Sequence, residues 1–400
     1  MRLTILQFGP YAEAARRFEN GGEETFYGQR YSVEFVGTLA SRMEDVTVLH
    51  LSRDDREERL PSGVRSLGLA FYGPSRRPRY LDLFRELNRL RPDHLLVCSP
   101  ISAVIGWALL RRIRTLPLFA DSFHARSMKD KLKLSLLVRV LNSSRLDWVS
   151  NHNIAASMDL RRIGVRPQKI LPFDWPALLS PTDRPSKMLR ADGTFRVIYV
   201  GQLLESKGVG DLIAAIALLK KADGPIQWRA TIVGGHDPAL ERKVNDSGLS
   251  AEIEFAGRVS HDQVVRLMNE HDAVIVPSRH EYPEGLPMTI YEGLCSRTPV
   301  VASDHPMFRL KLKNRETALV FRAGEPAALA ESLQELGTDG TLYARLSRAA
   351  ESAAADFFCP LKYDELISRW LSNREEDRRV LSSFSLSSGR YREMESGSAR

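Results

Sequence analysis

Cysteine is scarce in this chain of 400 residues, which carries three, at Cys98, Cys295 and Cys359. They lie far apart and form no C-x-x-C pair, so neither a disulfide framework nor a zinc site is expected. A reducing compartment fits this usage best.

Long apolar runs are also rare. The N-terminal decapeptide has too short an apolar core for a signal peptide and predicts a first strand. The uncharged run 95–110 is shorter than the ~18 to 20 residues of a membrane span. Pro100 interrupts this run, which predicts a strand, a turn and a helix.

With 43% hydrophobic and 27% charged residues, the composition is that of an ordinary globular protein. The length exceeds a single core, so two domains are expected. Short apolar runs alternate with segments of helical period in both halves, which predicts βαβ units and parallel sheets. Residues 176–194 are rich in Pro, Ser and Asp and predict a linker, and the polar tail 374–400 predicts disorder.

Net charge is +7, and it is unevenly distributed. Residues 1–175 hold 28 Lys and Arg against 19 Asp and Glu, giving +9, and the remainder holds 29 against 31, giving −2. The first half is therefore suited to an anionic partner: phospholipid, a phosphorylated substrate or nucleic acid. Solubilising surface charge is the alternative.

Two basic features of the first half bear on that partner. Residues 73–79 form a Pro-punctuated basic loop, and residues 126–141 have helical period. In this helix Lys131, Ser135 and Arg139 share one face, and Leu134, Leu137 and Leu141 share the opposite one. The pattern suits a docked helix with basic residues facing a membrane surface, or a core-packed helix with a solvated face.

Two glutamates mark the most informative stretch, which begins at Pro277. "HDAVIVPS" predicts a buried strand, followed by a helix that begins near Pro287. Ligands of doubly wound sheets bind beyond the carboxyl ends of the strands, where the amides of Gly285 and Leu286 would suit a diphosphate.

Glu284 and Glu292 flank that site, eight positions apart. Each carboxylate can accept hydrogen bonds from the vicinal hydroxyls of a sugar or a ribose. The alternative is that Glu284 complements the helix dipole and Glu292 lies on a solvated helix face. In the same half, Gly201 lets the chain leave a strand sharply, and Lys207 is placed to reach a phosphate at the same sheet edge.

The order of these motifs resembles one family. G-Q-L…K-G, then Gly234-Gly235, then P-S…E-G-x-P-x4-E…P-V-V is similar to the retaining glycosyltransferases of family 4. The resemblance covers most of the chain and is strongest over 196–325. It implies the GT-B fold: two Rossmann-like doubly wound parallel-sheet domains, 1–175 and 195–350, facing across a cleft. It also implies a C-terminal helix, 351–373, that crosses back onto the first domain.

The resemblance implies roles for individual residues. Lys207 and Gln202 contact the donor diphosphate, Glu284 contacts the transferred sugar and Glu292 holds the ribose hydroxyls. His124 matches the active-site histidine, with capping or packing as the alternative role. The implied catalytic residues are His124, Lys207 and Glu284. The implied donor-binding residues are Gly21, Gly22, Gly201, Gln202, Lys207, Arg258, Glu284, Gly285, Leu286, Pro287 and Glu292.

The chain departs from the family pattern at three places. Gln202 stands where arginine is common; charge-assisted hydrogen bonds contribute ~1.5 to 3 kcal/mol against ~1 for neutral ones, so the phosphate relies more on Lys207. Arg297 replaces a usual glycine. The inserted "EYP" makes Glu281 a rival to Glu284, although only Glu284 keeps the eight-residue spacing.

The expected activity is retaining transfer of a sugar from a nucleoside diphosphate to a glycan or lipid-linked acceptor. No D-x-D sequence is placed for a metal, so no cofactor is expected. The expected location is cytoplasmic, peripheral on an anionic membrane surface through the first domain. A non-catalytic basic protein on membrane or nucleic acid is the rival, although no aromatic-basic pattern favours nucleic acid. A nicotinamide-dependent oxidoreductase is a second rival, but this chain has no G-x-G-x-x-G motif after its first strand.

Overall fold

A computed structural model describes residues 1–22, 24, 28–52, 56–71, 79–121, 123, 127–176, 179–222, 224–282, 284, 288–308, 311–355 and 357–391. The chain divides into two compact units. The first comprises Met1–Pro176 and the segment that begins at Cys359, and the second comprises Ala177–Phe358.

The first unit is built on an eight-stranded sheet in the order β3-β4-β2-β1-β5-β6-β7-β8. All neighbouring pairs are parallel except β3 with β4 at the edge. The strands are β1 Arg2–Phe8, β2 Asp45–Ser52, β3 Arg56–Arg59, β4 Arg65–Ala70, β5 His94–Val97, β6 Arg114–Phe119, β7 Val149–His152 and β8 Ile170–Phe173. The uncharged run 95–110 forms β5 and α4, as predicted.

Helices cover this sheet because their apolar faces pack against the strands. The core contains Leu3, Val48, Leu96 and Leu116 of the strands and Trp370 of the returning C-terminal segment, each no more than 1% exposed. The helices are α1 Tyr11–Glu19, α2 Gln29–Ala40, α3 Tyr80–Leu90, α4 Ser102–Leu110, α5 Met128–Leu141, α6 Ile154–Arg162, α13 Tyr363–Ser372 and α14 Glu375–Ser383.

The second unit is built on a six-stranded parallel sheet in the order β11-β10-β9-β12-β13-β14. Counted within the unit this order is 3-2-1-4-5-6, which is the doubly wound nucleotide-binding arrangement. The strands are β9 Thr194–Val200, β10 Gln227–Val233, β11 Ile253–Gly257, β12 Ala273–Val276, β13 Val300–Ser303 and β14 Leu319–Phe321. The helices are α7 Val209–Lys221, α8 Pro238–Asp246, α9 His261–Glu270, α10 Met288–Cys295, α11 Pro326–Thr338 and α12 Gly340–Ala355.

The described part of the predicted linker packs on the second unit rather than standing free. The Lys187 ammonium donates to the carbonyl of Asn269 at 2.8 Å, and its burial lowers the pKa of this lysine to about 8. Arg190 pairs with the buried Asp272 at 2.8 Å. Polar contacts of this kind are invisible to a composition-based linker prediction.

The segment 351–373, predicted as one crossover helix, is divided between two helices. Helix α12 ends at Ala355, and α13 begins at Tyr363 in the first unit. Pro360 explains the break, since proline disfavours helical backbone at the residue before it. Asp174, 1% exposed, anchors the return by accepting from the Cys359 amide.

The tail 374–400, predicted to be disordered, forms helix α14 within its described part, residues 374–391. Helix α14 buries Leu381 to 1% exposure, and Arg378 pairs with Asp147 at 3.1 Å. Three acidic residues in its first turn favour the helix through its dipole. A few apolar residues at suitable spacing are therefore enough to dock this helix, although the composition of the segment is polar.

Candidate functional site

The strand order of the second unit places a candidate site. The order reverses between β9 and β12, which are adjacent and parallel, with Ile198 opposite Val274. Chain segments leave these two strands toward opposite sides, so a crevice opens beyond their carboxyl ends. The segments after β9 and β12, which begin at Gly201 and Pro277, contain most of the predicted donor-binding residues.

These two segments are held together by close backbone packing. Gly208 has φ +75° and lies so near Pro277 that an added Cβ would overlap the Pro277 carbonyl oxygen. The Arg279 amide donates to the Ser206 carbonyl at 2.9 Å. A Cβ at Gly234 would likewise overlap the Gly201 carbonyl oxygen, so the turn after β10 joins the same assembly.

Lys207 and Glu284 meet at this crevice, 77 positions apart in the chain. The Lys207 ammonium donates to Oε1 of Glu284 at 2.5 Å, and the Ser278 hydroxyl donates to the same oxygen at 2.6 Å. The Glu284 carboxylate is 5% exposed and the Lys207 side chain is 16% exposed. The Tyr282 ring lies 4.2 Å from the ammonium, which is cation–π geometry.

The surroundings of Glu284 are aromatic and partly desolvated. Burial raises the pKa of Tyr199, and the negative charge of Glu284 adds to the shift. Burial and then Glu284 raise the pKa of Tyr282 as well. The Tyr199 hydroxyl donates to the Gln202 carbonyl at 2.6 Å, which fixes the first turn after β9.

A second ion pair braces the crevice. The Arg279 guanidinium donates to both oxygens of Asp211, at 2.9 and 2.6 Å, and to Glu205 at 2.7 Å. Asp211 is 2% exposed, and its hydrogen bonds with Arg279 contribute most to the raised pKa of that arginine. This clamp ties the first turn of α7 to the segment after β12.

The structure separates the rival carboxylates. Glu284 is buried against Lys207, whereas Glu281 is exposed. Glu292, on α10, is 6% exposed, so the solvated-helix-face alternative is wrong. Gln202 and Arg258 are exposed and follow the carboxyl ends of β9 and β11, on the edge where the crevice lies.

The backbone conformation at Arg297 explains why glycine is usual at this position. Its φ is +61°, in the left-handed region that glycine adopts without strain. The buried side chain compensates by pairing with Glu351 at 2.8 Å and donating to the Arg184 carbonyl at 3.2 Å.

Several predicted residues cannot be placed in the crevice. His124 and the run Gly285, Leu286 and Pro287 lie outside the described residues. Gly21 and Gly22 end α1: Gly21 has φ +72°, and their amides donate to the carbonyls of Phe18 and Arg17. This hydrogen-bond pattern is a Schellman motif, so both glycines have a helix-capping role here. Their contact with a donor stays a prediction.

The corresponding edge of the first unit buries amides and a carboxyl: Asp174, which follows β8, is 1% exposed and lies 3.0 Å from Nε2 of His152 at the end of β7. Asn151 is fully buried; its amide donates to the carbonyls of Asp121 and Ala156 at 2.9 and 2.8 Å. Asn153 is 1% exposed with φ +61°, and its Nδ2 has no hydrogen-bond partner within the described structure. Burial raises the pKa of the Asp121 carboxyl.

Sequence reasoning missed the residues that support the pair. Ser278 was part of a strand-end signal, Tyr282 lies in the inserted "EYP", and Arg279 and Asp211 are separated by 68 positions. A hydroxyl and an aromatic ring close to a candidate carboxylate were the available signals. No local pattern indicates the Arg279–Asp211 clamp.

The described residues form neither a metal-binding cluster nor a membrane-spanning helix. Within them, no group of three or more His, Cys, Asp or Glu could hold a metal ion. No described helix combines the length and apolarity needed to cross a bilayer. The expectation of a metal-independent reaction stays a prediction.

Comparison with known proteins identifies the second unit. Residues 182–353 match the family model described as Glycosyl transferases group 1. This match covers nearly all of the second unit, which is called the group 1 domain below. Its motifs over 196–325 are the ones that carry the resemblance drawn from the sequence.

Among individual proteins, the chain is 24% identical over 185 residues to the amylovoran biosynthesis glycosyltransferase AmsK of Erwinia amylovora. That alignment covers 46% of this chain and 42% of AmsK, and the chain spans about two fifths of the length of the first curated relatives it matches.

Solved structures extend the comparison to both units. Sucrose-phosphate synthase from Thermosynechococcus elongatus superposes with a TM-score of 0.65 at 18% identity, covering 96% of this chain and all of that one. Anabaena HepE in complex with UDP superposes with a TM-score of 0.65 at 16% identity, covering 94% of this chain and all of that one. The predicted fold is confirmed: group 1 domain and first unit together have the GT-B fold.

Proposed function

We propose that the chain is a retaining glycosyltransferase that moves a sugar from a nucleoside diphosphate to a glycan or lipid-linked acceptor. The observation that carries this proposal is the buried Lys207–Glu284 pair, held by Ser278 at the switch point of the group 1 domain. A cation beside a desolvated carboxylate offers one group for a diphosphate and one for sugar hydroxyls.

Lys207 would stabilise the leaving diphosphate. A lysine ammonium has three N–H donors, so it can keep its bond to Glu284 and still donate to a phosphate oxygen. Negative charge builds on the diphosphate as the glycosidic bond breaks, and a fixed cation in a partly desolvated crevice lowers the energy of that state. Gln202, exposed and neutral, would add a weaker donor.

The carboxylates would recognise the rest of the donor. Glu284 would accept from the transferred sugar, and Glu292, buried on α10, from the ribose. HepE, which shares the fold, has been solved with UDP and with UDP-glucose, and this supports a nucleotide-sugar donor here. No metal is needed in this scheme, because Lys207 and backbone amides supply the positive potential.

The acceptor would meet the first unit. Asn151 and Asn153, buried at its strand ends, would fix the shape of the edge that the acceptor approaches. We place the protein in the cytoplasm, at an anionic membrane surface that the +9 charge of residues 1–175 would attract. The name of AmsK places it in amylovoran biosynthesis, and this similarity supports a role for the present chain in polysaccharide or glycolipid assembly.

A panel of nucleotide sugars tests the proposal. The protein should release nucleoside diphosphate from one donor, with acceptor or slowly by hydrolysis, and Lys207→Ala should lower the rate of release by on the order of 10²-fold or more. Proton NMR of the product should show the anomeric configuration of the donor. Release from no donor by the folded protein, together with no nucleoside diphosphate binding, would contradict the proposal and favour the non-catalytic basic protein.

A further inference from the structure

Helix α5 of the first unit carries an apolar stripe on its outer face. Leu137 and Leu141 are buried at 3% and 0% exposure and dock the helix on the unit. On the other side Met128 is 77% exposed, Leu132 74% and Leu136 55%. Positions i, i+4 and i+8 align along one side of a helix, so the three form a continuous surface.

Lysines border this stripe on both sides. At 100° per residue, Lys129 and Lys133 fall beyond one edge of the stripe and Lys131 beyond the other, and all three are exposed. The acidic residue of α5, Asp130, is half-buried and accepts from the Ser127 hydroxyl at 2.7 Å. The outward face is therefore apolar at its centre and positive at its rims.

That pattern differs from the one expected from the sequence. The sequence assigned Lys131, Ser135 and Arg139 to the outer face, and the structure exposes them. It did not assign Leu132 and Leu136 there. A solvated helix face has no physical reason to carry three large apolar side chains more than half exposed, because each costs free energy in water.

We propose that the stripe Met128, Leu132 and Leu136 inserts into the interfacial layer of an anionic phospholipid bilayer, with the flanking lysines on lipid phosphates. Lysine stems lie along apolar surface while their ammonium groups reach the headgroups, which is the arrangement of helices that lie in a membrane interface. A second copy of the chain fits less well, since a pair formed stripe to stripe would bring six lysines together.

The proposal deepens the transferase function by naming the surface through which the first unit meets lipid, and it does not depend on the donor site. It also differs from charge attraction alone. An interaction made only by lysines collapses when the Debye length falls from about 10 Å at 0.1 M salt to about 3 Å at 1 M. Insertion of three apolar side chains leaves a component that salt does not remove.

Co-sedimentation of the full chain with vesicles tests the stripe. Vesicles of phosphatidylcholine mixed with phosphatidylglycerol should bind the wild type and retain part of it at high salt. The variant Met128→Ser, Leu132→Ser, Leu136→Ser should bind more weakly, by on the order of 10²-fold. Leu81→Ser is the matched control: Leu81 is 82% exposed on α3 of the same unit, beside Asp82, and its loss should change nothing.

A Leu132→Trp variant reports insertion directly. Its fluorescence should be quenched by brominated lipid in the anionic vesicles, and that of Leu81→Trp should not. Equal vesicle binding by the wild type and the triple Ser variant, or no quenching at 132, would overturn the proposal. So would loss of a wild-type dimer in the triple variant without vesicle binding, which would assign the stripe to a second copy. Nucleotide-sugar turnover without vesicles should be unchanged in all four variants, which separates this surface from the donor site.

Discussion

The carboxyl edges of the two parallel sheets differ in charge, although the sheets share a doubly wound plan. The second unit buries ionised groups there: Glu284 at 5% exposure against Lys207, and Asp211 at 2% against Arg279. The first unit buries two amides, Asn151 and Asn153, together with the Asp174 carboxyl, which lies 3.0 Å from Nε2 of His152, and burial raises the pKa of its Asp121 carboxyl.

The difference indicates a division of labour. Buried ions are costly unless paired, so a sheet edge that keeps them has a use for fixed charge, such as gripping a diphosphate. In the first unit the buried Asn151 instead hydrogen-bonds the backbone: it donates to the carbonyls of Asp121 and Ala156 and accepts from the amides of Asp121 and His152. The partly exposed Lys207 ammonium at the edge of the second unit supports placing the proposed diphosphate contact there.

The largest effect is expected from removing the cation of the charged edge. Lys207→Ala should lower turnover by on the order of 10²-fold or more, as for other lost transition-state contacts. Steady-state kinetics on the donor found in the panel measures this, with circular dichroism as a check of folding. An unaltered kcat/KM in the folded variant would remove the phosphate role of Lys207.

A backbone change should break the same edge through stability. Gly208→Ala places a methyl group against the Pro277 carbonyl in a left-handed conformation, so the free energy of unfolding should fall by roughly 2 kcal/mol. Gly235→Ala is the matched control, because a Cβ there meets nothing within 4 Å. Chemical denaturation compares the two, and equal stability would mean that the two segments are not held together by this contact.

The ribose contact should show a smaller effect on binding. Glu292→Gln should weaken nucleoside diphosphate binding by ~1 to 2 kcal/mol, because a carboxylate holds a diol more strongly than an amide does. Calorimetry measures the affinity, with Glu331→Gln on the exposed face of α11 as the control. Identical affinities for wild type and Glu292→Gln would leave Glu292 with a packing role only.

The smallest effect should come from Ser278, which positions Glu284. Losing its 2.6 Å hydrogen bond should cost about 1 kcal/mol, seen as a several-fold lower kcat. Nucleoside diphosphate affinity should not change, since the diphosphate is held elsewhere. Ser278→Ala is compared with Ser352→Ala on α12, and a purely structural Ser278 would instead show lower stability with kcat unchanged.

Local patterns in the sequence were enough to predict the doubly wound units and the approach of Lys207 to the edge that carries Glu284. Strand alternation, Gly208 and the eight-residue spacing from Glu284 to Glu292 are all readable within short windows. The Arg279–Asp211 clamp, the return at Asp174 and the burial of Leu381 depend on contacts between distant positions, which no window contains. The outer stripe of α5 was missed because helical period shows that two faces differ, but not which one the rest of the unit covers.

Titration of the nucleoside diphosphate released in the panel tests the central claim most directly. Calorimetry should give at least a roughly tenfold weaker affinity for Lys207→Ala, since a charge-assisted contact contributes ~1.5 to 3 kcal/mol. Asp121→Asn, at the carboxyl edge of the first unit, should bind as tightly as the wild type. Equal affinity of wild type and Lys207→Ala, or an equal loss in Asp121→Asn, would contradict the assignment of the donor diphosphate to the charged edge of the group 1 domain.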